Sequence, residues 1–285
     1  MLSGTHGGSP VEIEVALATG EAKRARLNGA PLRAAEELRS RLPTLVFTPD
    51  RLAIVKGGPA VRRAYFDRTL GRLFPSRATA PTDYAAALAQ RNGALRRVAA
   101  GYSPREALDP WTPKVAELGR ALADARRELV ELLSLRFASS AAEFQLDDAE
   151  LRYEGEPVTA EQLDARLEAD LSRGFTGLGP HLHDVAVVVG GRDLRSFGSQ
   201  GEQRLAVLSL LLAEADLIAE RGMPEPLLLL DDVLSELDPD RRRILASRLR
   251  RPGAQAFLTA TSKAALAGDP DVLVEVTPGR AVVAA

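Results

Sequence analysis

The segment that most constrains the fold is "PLLLLDDVLSELD", residues 226–238. Four consecutive leucines are typical of a β-strand covered on both faces, because a strand with one face in water alternates apolar and polar residues. Such strands belong to parallel sheets that helices cover on both sides. The leucines are followed by Asp231 and Asp232, and neighbouring strand residues point to opposite sides. One carboxylate could therefore bind Mg²⁺ while the other faces a neighbouring group; alternatively, the strand simply reaches solvent here.

A second segment, "FGSQGEQRLAVLSLLLAEADL" (197–217), starts as a small polar loop and continues as an apolar helix. Ser199 and Glu202 have the spacing of a capping box, and Gly201 between them allows the backbone to approach a ligand closely. Free amides at a helix N-terminus bind phosphate. Together with the paired aspartates, this segment predicts half of a nucleotide-binding site. The alternative is a well-capped core helix that leads into a buried strand.

The N-terminal half of the chain divides into a β-rich part and a helical part. "VEIEVAL" (11–17) alternates apolar and polar residues, and together with "KRARLNG" it predicts a hairpin that has one buried face. "LRAAEELRSRL" (32–42) is typical of a short helix, and "PTLVFTP" of a strand that ends at Pro49. From Pro59 to about Phe144, apolar residues at helical spacing predict about three helices.

The C-terminal half alternates between strands and helices, which indicates an α/β fold with a parallel sheet. "EFQLDDAELRYEG" is expected to be extended, and "TAEQLDARLEADLSRG" to form one helix. Further along we expect a hairpin through Gly190 and Gly191, then a helix at 202–221, a strand at 226–231, a helix at 239–250, a strand in "AQAFLTAT" and a final hairpin.

Positive charge is concentrated in one region of the chain. Residues 56–105 contain ten Lys or Arg and two Asp, a local charge of +8, whereas the whole chain carries −2 and the remainder therefore −10. This excess predicts a surface that contacts nucleic-acid phosphates, and the candidate residues are Arg62, Arg63, Arg91, Arg96 and Arg97. The alternative is a solvated helix face without a ligand.

Composition excludes several classes of protein. The chain has no cysteine, so disulfides and thiolate metal sites are excluded. Its most apolar stretch, 205–219, is interrupted by Glu214 and Asp216 and does not predict a transmembrane helix. The first residues, "MLSGTHGGSP", lack the basic and apolar regions of a signal peptide. We therefore expect a cytoplasmic protein.

The order of these motifs resembles that of ABC-type ATPases, and within them the RecF family of recombination mediators. "SQGEQ" at a helix start, "LLLLDD", "SELD" and a strand that ends in "TAT" follow the order of signature motif, Walker B, D-loop and switch strand. "LVFTPDRLAIVKGGPAVRRAYFDRTL", "LAQRNGALRRV" and "GPHLHDVAVVVGGRDLRSFGSQGEQR" also resemble RecF segments in RecF order. The resemblance extends over nearly the whole chain from about residue 12.

The resemblance implies an ATP site and a role for individual residues in it. Asp231 matches the Walker B ligand of Mg²⁺, and Asp232 occupies the position of the catalytic residue that polarises the attacking water. The signature matches in Ser199, Gln200, Gly201 and Gln203, which in the family reach the γ-phosphate of ATP held by the partner chain. Asp238 matches the D-loop aspartate, and either Thr259 or Thr261 matches the switch residue. The implied cofactors are ATP and Mg²⁺.

The resemblance also implies an architecture, a function and partners. We expect an α/β, ABC-type ATPase lobe with a mixed sheet, interrupted by a helical arm: 1–55 and 176–285 form the lobe, and 56–175 the arm, the candidate DNA-binding part. The implied function is DNA repair and replication through ATP-dependent homodimerisation on DNA at single-strand gaps or duplex junctions. The implied partners are RecR and RecO, which support RecA loading. The alternatives are a non-catalytic DNA-binding or scaffold protein, and an ABC transporter nucleotide-binding subunit.

The chain departs from the family pattern at one motif. RecF proteins begin with a P-loop, G-x-x-x-x-G-K-[ST], and no such string occurs in the 285 residues. "IVKGGPA" is no substitute, because Lys56 precedes the glycines and Pro59 stands where the helix would receive phosphate. We expect a truncated sequence, and the alternative is a divergent form whose P-loop is supplied elsewhere. In either case we expect that the chain alone neither binds nor hydrolyses ATP appreciably. Of the other residues singled out, His181 is expected to be structural or interfacial rather than part of a metal site with His183, and Trp111 to lie in the helical core.

Overall fold

The computed structural model describes residues 2–6, 9–16, 20, 24–32, 42–235, 237–250, 253–266 and 268–284. The strands among them are β1 (Leu2–His6), β2 (Ser9–Ala16), β3 (Arg24–Leu27), β4 (Ala30–Pro31), β5 (Thr44–Phe47), β6 (Ala149–Glu154), β7 (Asp184–Val189), β8 (Arg192–Asp193), β9 (Leu227–Leu230), β10 (Gln255–Leu258), β11 (Val274–Thr277) and β12 (Arg280–Val283). The α-helices are α1 (Ala53–Lys56), α2 (Pro59–Leu73), α3 (Ala80–Ala99), α4 (Trp111–Glu143), α5 (Ala160–Ala165), α6 (Leu167–Arg173), α7 (Leu194–Phe197), α8 (Gln200–Glu220) and α9 (Pro239–Leu249). Most of the helix predicted at 32–42 lies outside the described residues.

The leucine strand lies at the centre of a parallel sheet, as predicted. β9 pairs in parallel with β5 on one side and with β10 on the other. Burial alternates along β9, however: Leu228 and Leu230 are buried, whereas Leu227 and Leu229 are partly exposed. The expectation of a sheet buried on both faces is therefore wrong for the part of the molecule described, where elements cover only the face of Leu228 and Leu230.

The N-terminal strands form an antiparallel sheet in the order β1-β2-β3-β4, which confirms the predicted hairpin of β2 and β3. Its expected buried face is mostly not buried: Ile13 is covered, whereas Val15 is 45% exposed. Both residues line a cavity of about 400 Å³ together with β5, α2 and α8. The apolar face of the hairpin is therefore covered at Ile13 and open at Val15.

The helical region contains the three predicted helices, α2, α3 and α4. The segment predicted as one helix after Thr159 is instead two, α5 and α6, which are separated at Arg166. One continuous core of buried residues runs from β5 through α2 and α4 to α8 and β9. The core therefore crosses both predicted domain boundaries, near residues 55 and 175.

The remaining strands form two antiparallel sheets. β7 pairs with β6 on one side and with β8 on the other, and the β7–β8 turn uses Gly190 and Gly191 in left-handed conformations, as predicted. β11 and β12 form the expected final hairpin. The α/β fold class is confirmed; among the described residues, parallel and antiparallel strands lie in separate sheets rather than in one mixed sheet. Among the described helices, none is long and apolar enough to span a membrane.

Candidate functional site

The two aspartates lie where the central parallel strand ends, and a threonine from the next strand joins them. The Asp231 amide donates to the Phe47 carbonyl (2.9 Å), which holds the end of β9 against β5. The Thr259 hydroxyl donates to Asp231 Oδ1 (2.6 Å) and accepts from the Asp232 amide (2.9 Å). One hydroxyl group therefore fixes both a side chain and the main chain at this strand end.

The backbone turns sharply at Asp232, which has a φ of +50°. This left-handed conformation is uncommon for residues other than glycine and is enriched at functional sites. The Ser235 hydroxyl donates to the Asp232 carbonyl (3.0 Å) and closes the turn. Of the two candidate switch threonines, Thr259 makes hydrogen bonds to the aspartates, whereas Thr261 lies exposed two residues further on.

The start of α8 has the predicted capping box. The Ser199 hydroxyl accepts from the Glu202 amide (3.2 Å), and the Glu202 carboxylate accepts from the Ser199 amide (2.7 Å), which lowers the pKa of Glu202. For the amides of Gln200 and Gly201, no acceptor is recorded in the described part of the chain. A Cβ added to Gly201 would meet only Ser199 Oγ, at 4.0 Å. The helix start is therefore open to a large ligand.

Gln203 is buried and does not face solvent with the rest of this segment. Its Nε2 donates to the carbonyls of Leu194 (2.8 Å) and Gly198 (3.1 Å) and ties α7 to the start of α8. A side chain on Gly198 would come 2.8 Å from Leu194 Cδ2, so the turn requires glycine. The prediction that Gln203 contacts ATP is not supported, because its amide is used to hold the turn that precedes Ser199.

Asp238 caps helix α9. Its Oδ1 accepts from the amides of Asp240 (3.0 Å) and Arg241 (2.9 Å), and these hydrogen bonds, that of Arg241 foremost, lower the pKa of Asp238. The cap accounts for this residue without a ligand, although the side chain remains exposed. No recorded hydrogen bond between described residues links Asp238 or Ser199 to Asp231.

The donor set fits one side of a Mg²⁺–ATP site. Within the described residues there is no group of three or more His, Cys, Asp or Glu that could enclose a metal ion. Mg²⁺ in nucleotide sites commonly uses one or two carboxylates together with phosphate oxygens and waters, which agrees with a single exposed Asp231 beside Thr259. The open helix start at Ser199 fits an anionic group.

The structure divides the five candidate arginines into buried and accessible ones. Arg91 is fully buried, and its Nη1 donates to Asp170 Oδ2 (2.9 Å) and to the Thr176 hydroxyl (2.7 Å). Arg62 is also buried; its Nε donates to Asp184 Oδ1 (2.8 Å), and this hydrogen bond raises the pKa of Arg62. Contact of either guanidinium with DNA is excluded in this conformation, so the prediction is wrong for these two residues.

The other three arginines remain accessible. Arg63 is partly buried and donates to the His183 carbonyl (2.6 Å); burial, and then the charge of Arg126, lower the pKa of Arg63. Arg96 and Arg97 are exposed at the end of α3. All five arginines lie in segments that the sequence predicts as helical, so the sequence does not separate buried from exposed ones. Asp170, the partner of Arg91, lies far along the chain and cannot be assigned to it from spacing.

The two histidines of "GPHLHD" are structural residues. His181 Nε2 lies 3.0 Å from the Thr176 carbonyl and must carry the proton, so Nδ1 accepts from the Tyr84 hydroxyl (2.7 Å). His183 Nδ1 lies 2.7 Å from the Tyr153 hydroxyl. The structural interpretation of His181 is confirmed. Trp111 packs, partly buried, on a small cluster of helical-region residues, as expected.

We expect the His183 imidazole to stay neutral in the folded protein down to about pH 4, because burial, and then the nearby charge of Arg126, lower its pKa to about 4. The unfolded chain takes up this proton near pH 6.5. This contribution to the free energy of unfolding is therefore complete above pH 6.5 and is lost as the pH falls from about 6.5 to about 4. An NMR titration of the imidazole nitrogens, assigned with His183→Gln, measures the pKa; a value above 6 would contradict the expectation.

Curated proteins that share one name are similar to this chain over most of its length. The DNA replication and repair protein RecF of Heliobacterium modesticaldum is 37% identical over 276 residues, which cover 90% of this chain and 73% of the relative. The RecF proteins of Myxococcus xanthus (37%) and Ruminiclostridium cellulolyticum (32%) match over 90% of this chain and 72% and 73% of their own length. No family model matches the chain.

Solved structures of RecF proteins also superpose on this chain. The recombination mediator protein RecF-ATP of the RecFOR pathway superposes with a TM-score of 0.83 and 29% identity, over 97% of this chain and 77% of that one. A second RecF structure from this pathway, RecF-ATPrS, gives 0.82 and 28%, over 100% and 78%. An Smc head bound to the C-terminal winged-helix domain of ScpA shares the fold alone, with a TM-score of 0.52 and 14% identity over 97% of this chain and 68% of that one.

Proposed function

This chain belongs to the RecF family of DNA replication and repair proteins, and we propose that it forms one side of an ATP site completed between two chains. In this proposal the start of α8 at Ser199 faces the terminal phosphate of a nucleotide held by the partner. Asp231 holds Mg²⁺, and Asp232 orients the attacking water. Bound Mg²⁺–ATP would supply the anionic charge that draws two such chains together.

The observation that carries the proposal is the hydrogen-bonded unit of Asp231, Thr259 and Asp232 at the ends of two parallel strands. In open α/β sheets, ligands bind outside the carboxyl ends of the strands. A carboxylate that positions a metal ion must have a fixed orientation, and Thr259 fixes the Asp231 carboxylate together with the main chain at Asp232. A strand that merely reached solvent would need neither this hydroxyl bridge nor the left-handed backbone at Asp232.

The helix start supports the same proposal from a second element. The capping box uses the Ser199 hydroxyl and the Glu202 carboxylate and leaves the first amides of α8 for an anion. Gln203 acts on this site through the turn that it holds, and we propose it as a positioning residue. Asp238 would lie at the interface of the two chains while it caps α9.

We propose that the chain binds DNA and also the partner proteins of its family. The structural relatives are named as recombination mediator proteins of the RecFOR pathway, which supports binding to RecR and RecO. We extend the proposal to binding at single-strand gaps or duplex junctions where RecA is loaded. ATP-dependent homodimerisation and a cytoplasmic location belong to the same proposal. The non-catalytic scaffold and the transporter subunit are not favoured, because the relatives are named as DNA replication and repair proteins.

We propose that Arg63, Arg96 and Arg97 contact DNA phosphates. For Arg96→Ala combined with Arg97→Ala, we expect weaker binding to every duplex sequence and a salt dependence of log K that is less steep by about 0.9 for each lost contact. Fluorescence anisotropy of a labelled duplex at several salt concentrations measures both quantities.

The matched control combines Arg152→Ala with Arg243→Ala. These two arginines are exposed as well, but they pair with Glu150 and Asp240. If both double variants keep the parental salt dependence, Arg96 and Arg97 belong to a solvated face, and the proposed DNA surface must lie elsewhere.

A further inference from the structure

Helices α3 and α6 are each followed by a left-handed glycine and an exposed aromatic residue, although they are about seventy residues apart in the sequence. α3 is followed by Gly101 with a φ of +75° and then by Tyr102, which is 84% exposed. α6 is followed by Gly174 with a φ of +73° and then by Phe175, which is 48% exposed. In both places a left-handed glycine stops the helix and is directly followed by an aromatic side chain in solvent.

The two helix ends are held next to each other. Beneath them, the buried Arg91 of α3 bonds to Asp170 of α6 and to Thr176. Asn92 Oδ1 accepts from both the amide (2.8 Å) and the hydroxyl (2.7 Å) of Thr176. Arg96 lies across the end of α6, since a Cβ added to Gly174 would come 3.3 Å from its Cγ. The loop that carries Phe175 is therefore fixed against the end of α3.

The position of Tyr102 is fixed by its backbone. Its amide donates to the Arg97 carbonyl (2.8 Å), and the Gly101 amide donates to the Val98 carbonyl (3.0 Å), which is the hydrogen-bond pattern of a Schellman motif. In this motif the residue after the glycine commonly packs an apolar side chain back against the helix. Tyr102 does not pack, so a large aromatic ring stands in solvent on a rigid backbone.

Three exposed arginines lie at the ends of the same two helices. Arg96 and Arg97 lie in the last turn of α3, and Arg173 in the last turn of α6; all three are exposed. Nearby, Arg105 is paired with Glu168, and the Asp170 carboxylate is buried under the surface. We call Arg96, Arg97, Tyr102, Arg173 and Phe175 the α3–α6 surface. Exposed aromatic faces between arginines are the composition of sites that bind single strands.

We propose that the α3–α6 surface binds single-stranded DNA by stacking unpaired bases on Tyr102 and Phe175, while its arginines contact the backbone. The inference rests on the proposed DNA binding and adds the site and the form of DNA that this site prefers. Every base has a face that can stack on an aromatic ring, whereas bases within a duplex are already stacked on each other. The two rings therefore distinguish single strands from duplex, and the arginines serve both.

The test compares Tyr102→Ser combined with Phe175→Ser against two controls in the full 285-residue chain. Tyr102→Phe keeps an aromatic face, and Leu135→Ser removes a 76% exposed apolar side chain of α4 outside the surface. The probes are an oligo-dT strand of about 15 nucleotides and a blunt duplex of the same length, in fluorescence anisotropy at low salt. Tyr102 is 84% exposed and Phe175 48%, so we expect the double variant to fold and its thermal unfolding to shift only slightly.

We expect the double variant to lose about tenfold or more in affinity for oligo-dT and less than twofold for the duplex, since stacking acts on single strands only. Tyr102→Phe and Leu135→Ser should bind oligo-dT like the parent. An equal loss on both probes, or no loss on oligo-dT, would overturn the inference, whereas the proposed phosphate contacts of Arg63, Arg96 and Arg97 would stand. Failure of the parent to bind either probe would also overturn the inference, and would show that this chain does not bind DNA without ATP-driven dimerisation.

Discussion

Replacement of Arg91 by alanine is expected to lower the free energy of unfolding by about 3–5 kcal/mol, because it leaves a charge without its partner inside the protein. Arg91 and Asp170 are both 0% exposed, and Nη1 of Arg91 donates to the carboxylate over 2.9 Å. The guanidinium also donates to the hydroxyls of Thr176 and Thr112. Truncation would remove all these bonds and leave the Asp170 carboxylate largely without a cation. Urea unfolding followed by circular dichroism measures the change.

The control for this prediction is Arg97→Ala. Arg97 lies on the same helix but is exposed, so its loss should change the free energy of unfolding by no more than about 0.5 kcal/mol. The order of the two effects should be reversed for DNA binding. Arg97→Ala should weaken binding, whereas folded Arg91→Ala should bind with the parental salt dependence. A cost below 1 kcal/mol for Arg91→Ala would show that the buried pair does not support the fold.

The second large effect is expected at the start of α8. In a protein in which a P-loop segment of a RecF relative precedes this chain, Ser199→Arg should abolish ATP-driven dimerisation and leave ATP binding to one protomer largely intact. The proposed site receives the nucleotide from the partner at Ser199, where the neighbouring Gly201 leaves open space. A bulky side chain would fill that space, although its charge attracts phosphate. Sedimentation with and without ATP measures dimerisation.

Two comparisons make this result specific. Asp232→Asn in the same protein should still dimerise but should not hydrolyse ATP, because the carboxylate that orients water is lost. The 285-residue chain alone should show no micromolar ATP binding by calorimetry, since no G-x-x-x-x-G-K-[ST] string occurs in it. If Ser199→Arg dimerises like the parent and only loses about 1 kcal/mol of stability, the segment is a capping box without a role in dimerisation.

The sequence predicts those features that depend on local patterns. The parallel strand of leucines, the three helices of the charged region, the capping box at Ser199 and the hairpin at Gly190 were all expected and are present. Each depends on residues a few positions apart. The resemblance to RecF was likewise visible in short segments, and the relatives confirm it.

The remaining features depend on contacts between distant residues. Arg91 and Arg97 look alike on one helix, and only the partner Asp170, far along the chain, distinguishes a buried ion pair from a free cation. Similarly, Thr259 meets the two aspartates because β10 lies beside β9. The sheet was expected to be covered on both faces because consecutive leucines favour that state, but coverage depends on the elements available to pack there.

The hydroxyl bridge at Thr259 has a geometric consequence for the two strands that it joins. One oxygen atom makes both hydrogen bonds, to the Asp231 side chain and to the Asp232 main chain. A shift of the end of β10 along β9 would therefore lengthen or misalign both bonds together. A change in the register of the two strands would therefore alter the orientation of the Asp231 carboxylate and the turn at Asp232 together.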